Sequence, residues 1–145
     1  MTMFRAIHDR RGATAFETTL VLVPLFMIIF AIFDVSRYAL TWYSVSNLAH
    51  EAMRQQIICY SPLIAGTVKT VTCPSDPLST DQKKIVAPVL FWGDLTDQKV
   101  QTDPTDTDVS QPRVITASVS GFKPVMSLLT IPYPSTLTVT VNLPF

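Results

Sequence analysis

Residues 10–37 read RRGATAFETTLVLVPLFMIIFAIFDVSR, and this stretch decides the architecture of the chain. From Thr18 to Phe33 it carries no charged side chain and would form about 24 Å of α-helix. Starting at Ala13 instead gives about 31 Å, enough to cross a hydrocarbon core of about 30 Å. The longer span encloses Glu17, and a charged side chain at membrane depth costs about 2.5–3.5 kcal/mol on insertion scales.

Three kinds of segment have such a run: a removable signal peptide, a membrane helix and a buried core helix. The sequence AIFDVSRYAL that ends the run lacks the small-residue pattern of a signal-peptide cleavage site. A core helix at a surface would show one polar face, whereas this run is apolar all round. We therefore predict a transmembrane helix over residues 13–33 in the lipid bilayer, kinked or locally loosened at Pro24.

The charges that flank the run predict its orientation. The leader before it carries three arginines against one aspartate, whereas one acid and one base balance beyond it: Arg5, Arg10, Arg11 and Asp9 before, Asp34 and Arg37 after. By the positive-inside rule, the N-terminus lies in the cytoplasm and the chain from about residue 34 lies outside.

Composition excludes several classes of function. The formal net charge is zero and 15% of residues are charged, so no basic face predicts a nucleic-acid partner. The chain has no CxxC motif and no Cys/His cluster of metal-binding spacing. Residues 103–108, DPTDTD, lack the glycine and distal glutamate of an EF-hand loop. We expect no cofactor, no metal and no small-molecule substrate.

The two cysteines, Cys59 and Cys73, both follow the apolar run and therefore share a compartment in either orientation. In an oxidising space they could pair, and a closed loop of this size stabilises a fold by roughly 3 kcal/mol in the chain-entropy model. Two buried free thiols are the alternative.

Helical periodicity continues beyond the membrane. Apolar positions recur at spacings of three and four over residues 34–60, at Val35, Tyr38, Trp42, Val45, Ala49 and Ala52, ending at Gln56, with Leu48 and Met53 alongside. This predicts one long helix from about Ala13 to about Cys59, whose second half is amphipathic and packs on the rest of the chain.

The remainder, residues 61–145, reads as a β-rich region. TLTVTVNLPF (136–145) alternates strictly and predicts a strand, as does RVITASVS (113–120). GTVKTVT (66–72) and KIVAPVLFW (84–92) are weaker strand candidates, and the polar stretch near 93–112 reads as an exposed loop. The predicted fold class is α+β: a long N-terminal helix packed on a small antiparallel sheet.

Catalysis is not expected. His8 lies on the leader, and His50 and Glu51 occupy adjacent helical positions, which point in different directions. The sequence contains no G-x-S-x-G motif and no glycine-rich phosphate loop.

The opening nevertheless resembles a known family. Gly12-Ala13-Thr14-Ala15-Phe16-Glu17 is similar to the processing site of type IV pilin-like proteins, in which a prepilin peptidase cuts after the glycine and a glutamate becomes the fifth mature residue. RRGATAFETTLVLVPLFMIIFAIFDVSR, then SNLAHEAMR and the C-terminal RVITASVSGFKPVMSLL, resemble more narrowly the TadE-like minor pilins (pseudopilins) of the tight-adherence (Tad/Flp) pilus. Thr18 and Thr19 depart from the aromatic and small apolar residues more usual there.

The resemblance implies a structural role in pilus assembly or priming, at the bacterial inner membrane, with a periplasmic C-terminal domain and possible incorporation into the pilus. The implied partners are other pilins, the prepilin peptidase and the inner-membrane pilus assembly platform. Residues 1–12 would be the cleaved leader. An uncleaved bitopic protein that tethers an interaction domain in an envelope complex is the alternative; a membrane-tethered enzyme is a distant third.

Cleavage would also supply a partner for Glu17. Ala13 would gain a free α-amine, one helical turn from Glu17 on the same face. Glu17 would then pair with that amine or with the amine of a neighbouring subunit, which would set the register of assembly. The competing interpretation is a Glu17 that lies just outside a shorter span and pairs with Arg10 or Arg11.

Overall fold

The computed structural model describes residues 10–93, 95–103, 112–125 and 133–143, with the backbone alone for residues 10–14. One helix, α1, runs without a break over Arg10–Ile64. The long helix predicted from periodicity is thus confirmed, although it continues past Cys59 and through Pro62. Proline is tolerated there because only two residues of helix follow it, so little of the hydrogen-bond ladder is lost.

A three-stranded antiparallel sheet packs on the second half of α1. Its strands are β1 (Thr96–Asp103), β2 (Arg113–Ser120) and β3 (Thr136–Leu143), in the spatial order β1-β2-β3. The register of β2 and β3 runs from Arg113 opposite Leu143 to Ser120 opposite Thr136. The α+β fold and the two strongest strand predictions are therefore confirmed.

Two sequence predictions between the helix and the sheet are wrong. Residues 84–92 form no strand: the first three end a short helix, α2 (Thr80–Val86), and a 3₁₀ turn follows at Pro88–Phe91. The Ser79 hydroxyl accepts from the backbone N–H of Gln82, and the Gln82 side chain accepts from the N–H of Ser79. This capping box starts a helix where β-branched residues suggested a strand. Residues 66–72 contain no strand either.

The loop predicted near 93–112 is also partly wrong, since β1 occupies Thr96–Asp103 within it. Residues 104–111 lie outside the described part of the chain. β1 is an edge strand and buries only two side chains, Val100 and Thr102. Its sequence, TDQKVQTD, therefore does not show the alternation of apolar and polar residues that is typical of a half-buried strand. A shift of register between Thr96 and Lys99 contains Asp97 at φ 54° and ends the regular pairing.

The hydrophobic core lies between the sheet and one face of α1. The helix contributes Val45, Leu48, Ala49 and Ala52; the sheet contributes Val100, Ile115, Ala117, Val119 and Leu137. Ala49 and Ala52 on the helix are fully buried, and their small size allows the helix backbone to approach the sheet closely.

The buried stripe of α1 differs from the predicted one at its membrane end. Val35 is 51% exposed and Trp42 is 45% exposed, although both were predicted to face the domain. Polar residues take the buried positions instead: Asp34, Thr41 and Ser44. The hydroxyls of Thr41 and Ser44 donate to the carbonyls of Arg37 and Leu40 in their own helix, at 2.9 and 2.8 Å. Such self-satisfied hydroxyls can be buried at little cost.

Candidate membrane anchor and processing site

The first half of α1 has no protein cover. Every large apolar side chain between residues 16 and 33 is at least 37% exposed, and Phe16 reaches 71%. By length and composition, the helix described from Ala15 onward could cross a membrane. An apolar surface of this size requires a nonpolar environment, because each exposed square ångström of it in water is unfavourable.

Two hydroxyl groups on this half of α1 are bonded within the helix. The Thr19 hydroxyl donates to the carbonyl of Ala15 at 2.9 Å, and the Ser36 hydroxyl donates to the carbonyl of Ile32 at 2.7 Å. Pro24 lies inside the helix and has no N–H for the carbonyl one turn earlier, at Leu20. The helix continues through this position, so the segment stays suited to a bilayer, where backbone groups must be bonded within the protein.

The predicted processing residues lie on the first turns of α1. The backbone is helical at Arg10, Arg11, Gly12 and Ala13. The side chains of these residues, and the whole of residues 1–9, lie outside the described part of the chain. The continuous helix places Glu17 one turn after Ala13. The Glu17 side chain is exposed and makes no hydrogen bond or ion pair with another described side chain. Residues 10–14, the turn that precedes Glu17, are described by their backbone alone.

A buried carboxylate marks the other end of the apolar run. Asp34 directly follows Phe33 and is only 3% exposed. Its Oδ1 accepts a hydrogen bond from the backbone N–H of Val125 at 2.8 Å. The sequence suggested only a flanking charge here, yet Asp34 joins the anchor helix to the segment that follows β2.

Aromatic rings fill the space beside this junction. The ring of Tyr38 lies 5.5 Å from that of Phe122 and 5.1 Å from that of Tyr133, measured between centroids. Phe122 and Tyr133 also contact each other at 5.8 Å. These contacts fix the membrane-proximal end of the domain against α1.

The membrane-distal end is held by a disulfide. The Sγ atoms of Cys59 and Cys73 are bonded, with their Cα atoms 6.1 Å apart. The bond joins the last turns of α1 to the irregular segment that precedes α2. Free thiols, the alternative left open by the sequence, do not occur in the structure.

Buried polar residues that sequence patterns missed surround the disulfide. The guanidinium of Arg113, fully buried, lies over the Tyr60 ring at 4.2 Å. Gln56 is also buried, and its Nε2 donates to the carbonyl of Pro74 at 2.8 Å and to the hydroxyl of Thr102 at 3.0 Å. Gln56 is the only polar residue of the predicted apolar stripe, and this exception was the sequence signal for its bonds to the domain. Its Oε1 is buried and has no hydrogen-bond partner among the described atoms.

One protein family matches the chain. The family described as TadE-like protein matches residues 12–54, from the glycine of the candidate processing site through the anchor to the middle of the amphipathic half of α1. The match ends before the disulfide and the sheet. Neither curated proteins nor solved structures match the chain. TadE-like proteins are pilus-associated and typically structural rather than catalytic. The match to the TadE-like family over residues 12–54 confirms the family resemblance of the opening sequence.

Proposed function

We propose that the protein is a minor pilin (pseudopilin) that acts in the assembly or priming of a tight-adherence pilus. Its role is structural, and its partners are the other pilins of the system, the prepilin peptidase and the inner-membrane assembly platform. The observation that carries the proposal is the TadE-like match, which begins at Gly12 and covers the whole of the apolar run.

In this proposal residues 13–33 anchor the protein in the bacterial inner membrane, and the region after residue 34 lies in the periplasm. A prepilin peptidase removes residues 1–12 and creates the α-amine of Ala13. Because α1 is helical from Arg10, the new amine and Glu17 lie one turn apart on one face. The exposed state of Glu17 supports a pairing that forms only after cleavage or between subunits.

The test is cleavage itself. The full chain is co-expressed with a prepilin peptidase, and the mature N-terminus is determined by mass spectrometry. We expect loss of residues 1–12, whereas the Gly12→Ala variant should remain uncut. An intact Met1 beside a peptidase that demonstrably cuts a control pilin contradicts processing, and would support the alternative of an uncleaved bitopic tether.

The pairing model makes a second prediction. The Glu17→Ala variant should insert normally, because a charge has been removed from the apolar span, but should co-purify with partner pilins several-fold less than the wild type. Thr18→Ala, one position along on a different face, is the matched control and should retain the partners. Equal recovery of partners by Glu17→Ala and the wild type would count against a role for this carboxylate in assembly.

A further inference from the structure

A groove opens at the membrane-proximal end of the domain. It has a volume of about 600 Å³ and lies between α1, the residues that follow the 3₁₀ turn, and the segment after β2. We call it the proximal groove and define it by six of the residues that line it: Arg37, Leu40, Trp92, Phe122, Lys123 and Val125. None of these residues takes part in the processing site or the disulfide cluster.

The position of the proximal groove follows from the helix that forms one wall. Arg37 lies four residues after Phe33, the last residue of the uncharged run, which is about 6 Å along the helix axis. The headgroup layer on each side of a bilayer is about 5–7 Å deep. Arg37 therefore lies at headgroup level when the apolar run fills the hydrocarbon core, and the groove opens at the surface of the membrane.

The lining combines exposed apolar side chains with positive charge. Trp92 is 70% exposed, Val125 63% and Leu40 55%. Arg37 and Lys123 supply the charge, and the Arg37 guanidinium lies 6.0 Å from the centre of the Phe122 ring. None of the described lining residues is acidic. Asp94, next to Gly93, lies outside the described part, and the Asp34 carboxylate is buried against the N–H of Val125.

The wall that carries Lys123 is held in place rather than free. Asp34 bonds the backbone of Val125, and Phe122 is buried in contact with Tyr38 and Tyr133. Both attachments connect the segment after β2 to α1 at the end of the apolar run. The groove is thus already formed in the protein without a ligand, at the level of the headgroup layer that follows Phe33.

We propose that the proximal groove binds the headgroup of an anionic phospholipid, with the phosphate between Arg37 and Lys123. Guanidinium and ammonium groups are the usual protein ligands of phosphate, and tryptophan favours the membrane interface. Val125, whose N–H bonds Asp34 at the end of the apolar run, lies on the acyl side of the phosphate, and Leu40 and Trp92 line the rest of the groove. The charge of the groove and its height favour this occupant over a protein segment. The inference rests on the proposed membrane span.

Lipid selectivity tests the proposal. The full chain is purified in detergent with phosphatidylglycerol or phosphatidylcholine, and the lipids retained per chain are counted by native mass spectrometry. We expect at least fivefold more phosphatidylglycerol than phosphatidylcholine on the wild type, and loss of this preference in the Arg37→Gln/Lys123→Gln double variant. The Lys69→Gln/Lys84→Gln variant removes the same charge from exposed sites outside the groove and should keep the preference. Equal retention of both lipids by the wild type, or equal loss in both variants, overturns the proposal.

A second measurement does not depend on the charge variants. The chain has two tryptophans, so Trp42→Phe leaves Trp92 as the only one. In vesicles that contain phosphatidylglycerol spin-labelled at the headgroup, we expect the fluorescence of Trp92 to be about half of that in vesicles with unlabelled phosphatidylglycerol. Unquenched Trp92 overturns the lipid proposal. If Trp92 is also shielded from a soluble quencher, the groove is assigned to a protein neighbour instead.

The membrane span is tested separately by extraction at alkaline pH. A chain that leaves the membrane fraction has no span, and the proposed function and this inference fail together. A chain that stays in the membrane with Trp92 unquenched retains the proposed anchor and loses only the lipid site.

Discussion

Single polar residues decide where the domain is attached to its helix. Asp34 at the membrane end and Gln56 at the distal end are both buried, and both bond to backbone outside α1. Burying such groups without a partner would cost about 1–3 kcal/mol each, so each one penalises any packing that leaves it unbonded. They specify the register of helix on domain more sharply than the apolar residues between them.

Gln56 gives the clearest prediction at this scale. Gln56→Ala removes two hydrogen bonds and leaves a small cavity between α1 and β1, so we expect the free energy of unfolding to fall by about 2 kcal/mol. Denaturant unfolding of the full chain in detergent micelles, followed by near-ultraviolet circular dichroism, measures it.

The neighbouring glutamine is the matched control. Gln55 is half-buried and bonds only the Glu51 carboxylate within its own helix, at 3.1 Å. Gln55→Ala should therefore change the free energy of unfolding by less than about 0.5 kcal/mol. Equal losses from the two substitutions would mean that the bonds of Gln56 to Pro74 and Thr102 add nothing to the stability of the fold.

At the scale of elements, the strands that bury one face were predicted correctly from the sequence, whereas short or exposed elements were not. β3 buries one face and shows it as a strict alternation of leucine and valine with polar residues, so this pattern predicted the strand over 136–145, where the structure has Thr136–Leu143. β1 is an edge strand whose exposed positions are polar, and it was assigned to a loop. α2 has seven residues, too few for a periodic signal, and its capping box was the only available sign.

At the candidate site, too, only residues that belong to a local sequence pattern could be predicted. Gly12 and Glu17 were predicted as site residues because their spacing is a local motif, and the two cysteines were predicted as a possible pair because the sequence has only two. Asp34, Arg113 and the proximal groove depend on contacts between segments far apart in the chain, such as the bond between residues 34 and 125. No local pattern encodes such contacts.

The disulfide makes a prediction about the element that follows α1. Residues 67–78 contain no helix or strand, and Cys73 attaches them to α1. The Cys59→Ser/Cys73→Ser variant should lose about 3 kcal/mol of stability, because the unfolded chain regains the freedom of the open loop.

Thermal unfolding with and without a reductant measures this effect. Reductant should lower the melting temperature of the wild type to that of the double variant and leave the variant unchanged. A wild type that melts at the same temperature in both conditions would show that the bond adds nothing to the stability of the fold.

At the scale of the whole molecule, the chain divides by environment rather than by separate folding units. α1 belongs to both parts: its first half has no protein cover, and its second half forms one side of the core. The charge balance of the leader predicts which side of the membrane receives the domain.

Protease accessibility tests that orientation. Trypsin added to intact spheroplasts should digest the domain at exposed lysines such as Lys69, Lys84 and Lys99. A cytoplasmic marker protein should stay intact in the same sample. Digestion that begins only after lysis would place the domain in the cytoplasm and reverse the predicted topology.

The unbroken course of α1 also has a mechanical consequence. The helix is about 80 Å long, and the structure places no loop between the anchor and the core. Extraction from the bilayer would pull the anchor along the helix axis. This force is transmitted directly to the domain, because no flexible segment between them can extend. Anchor and domain must then rise together, and the force needed to lift one includes the work of detaching the other from the membrane surface.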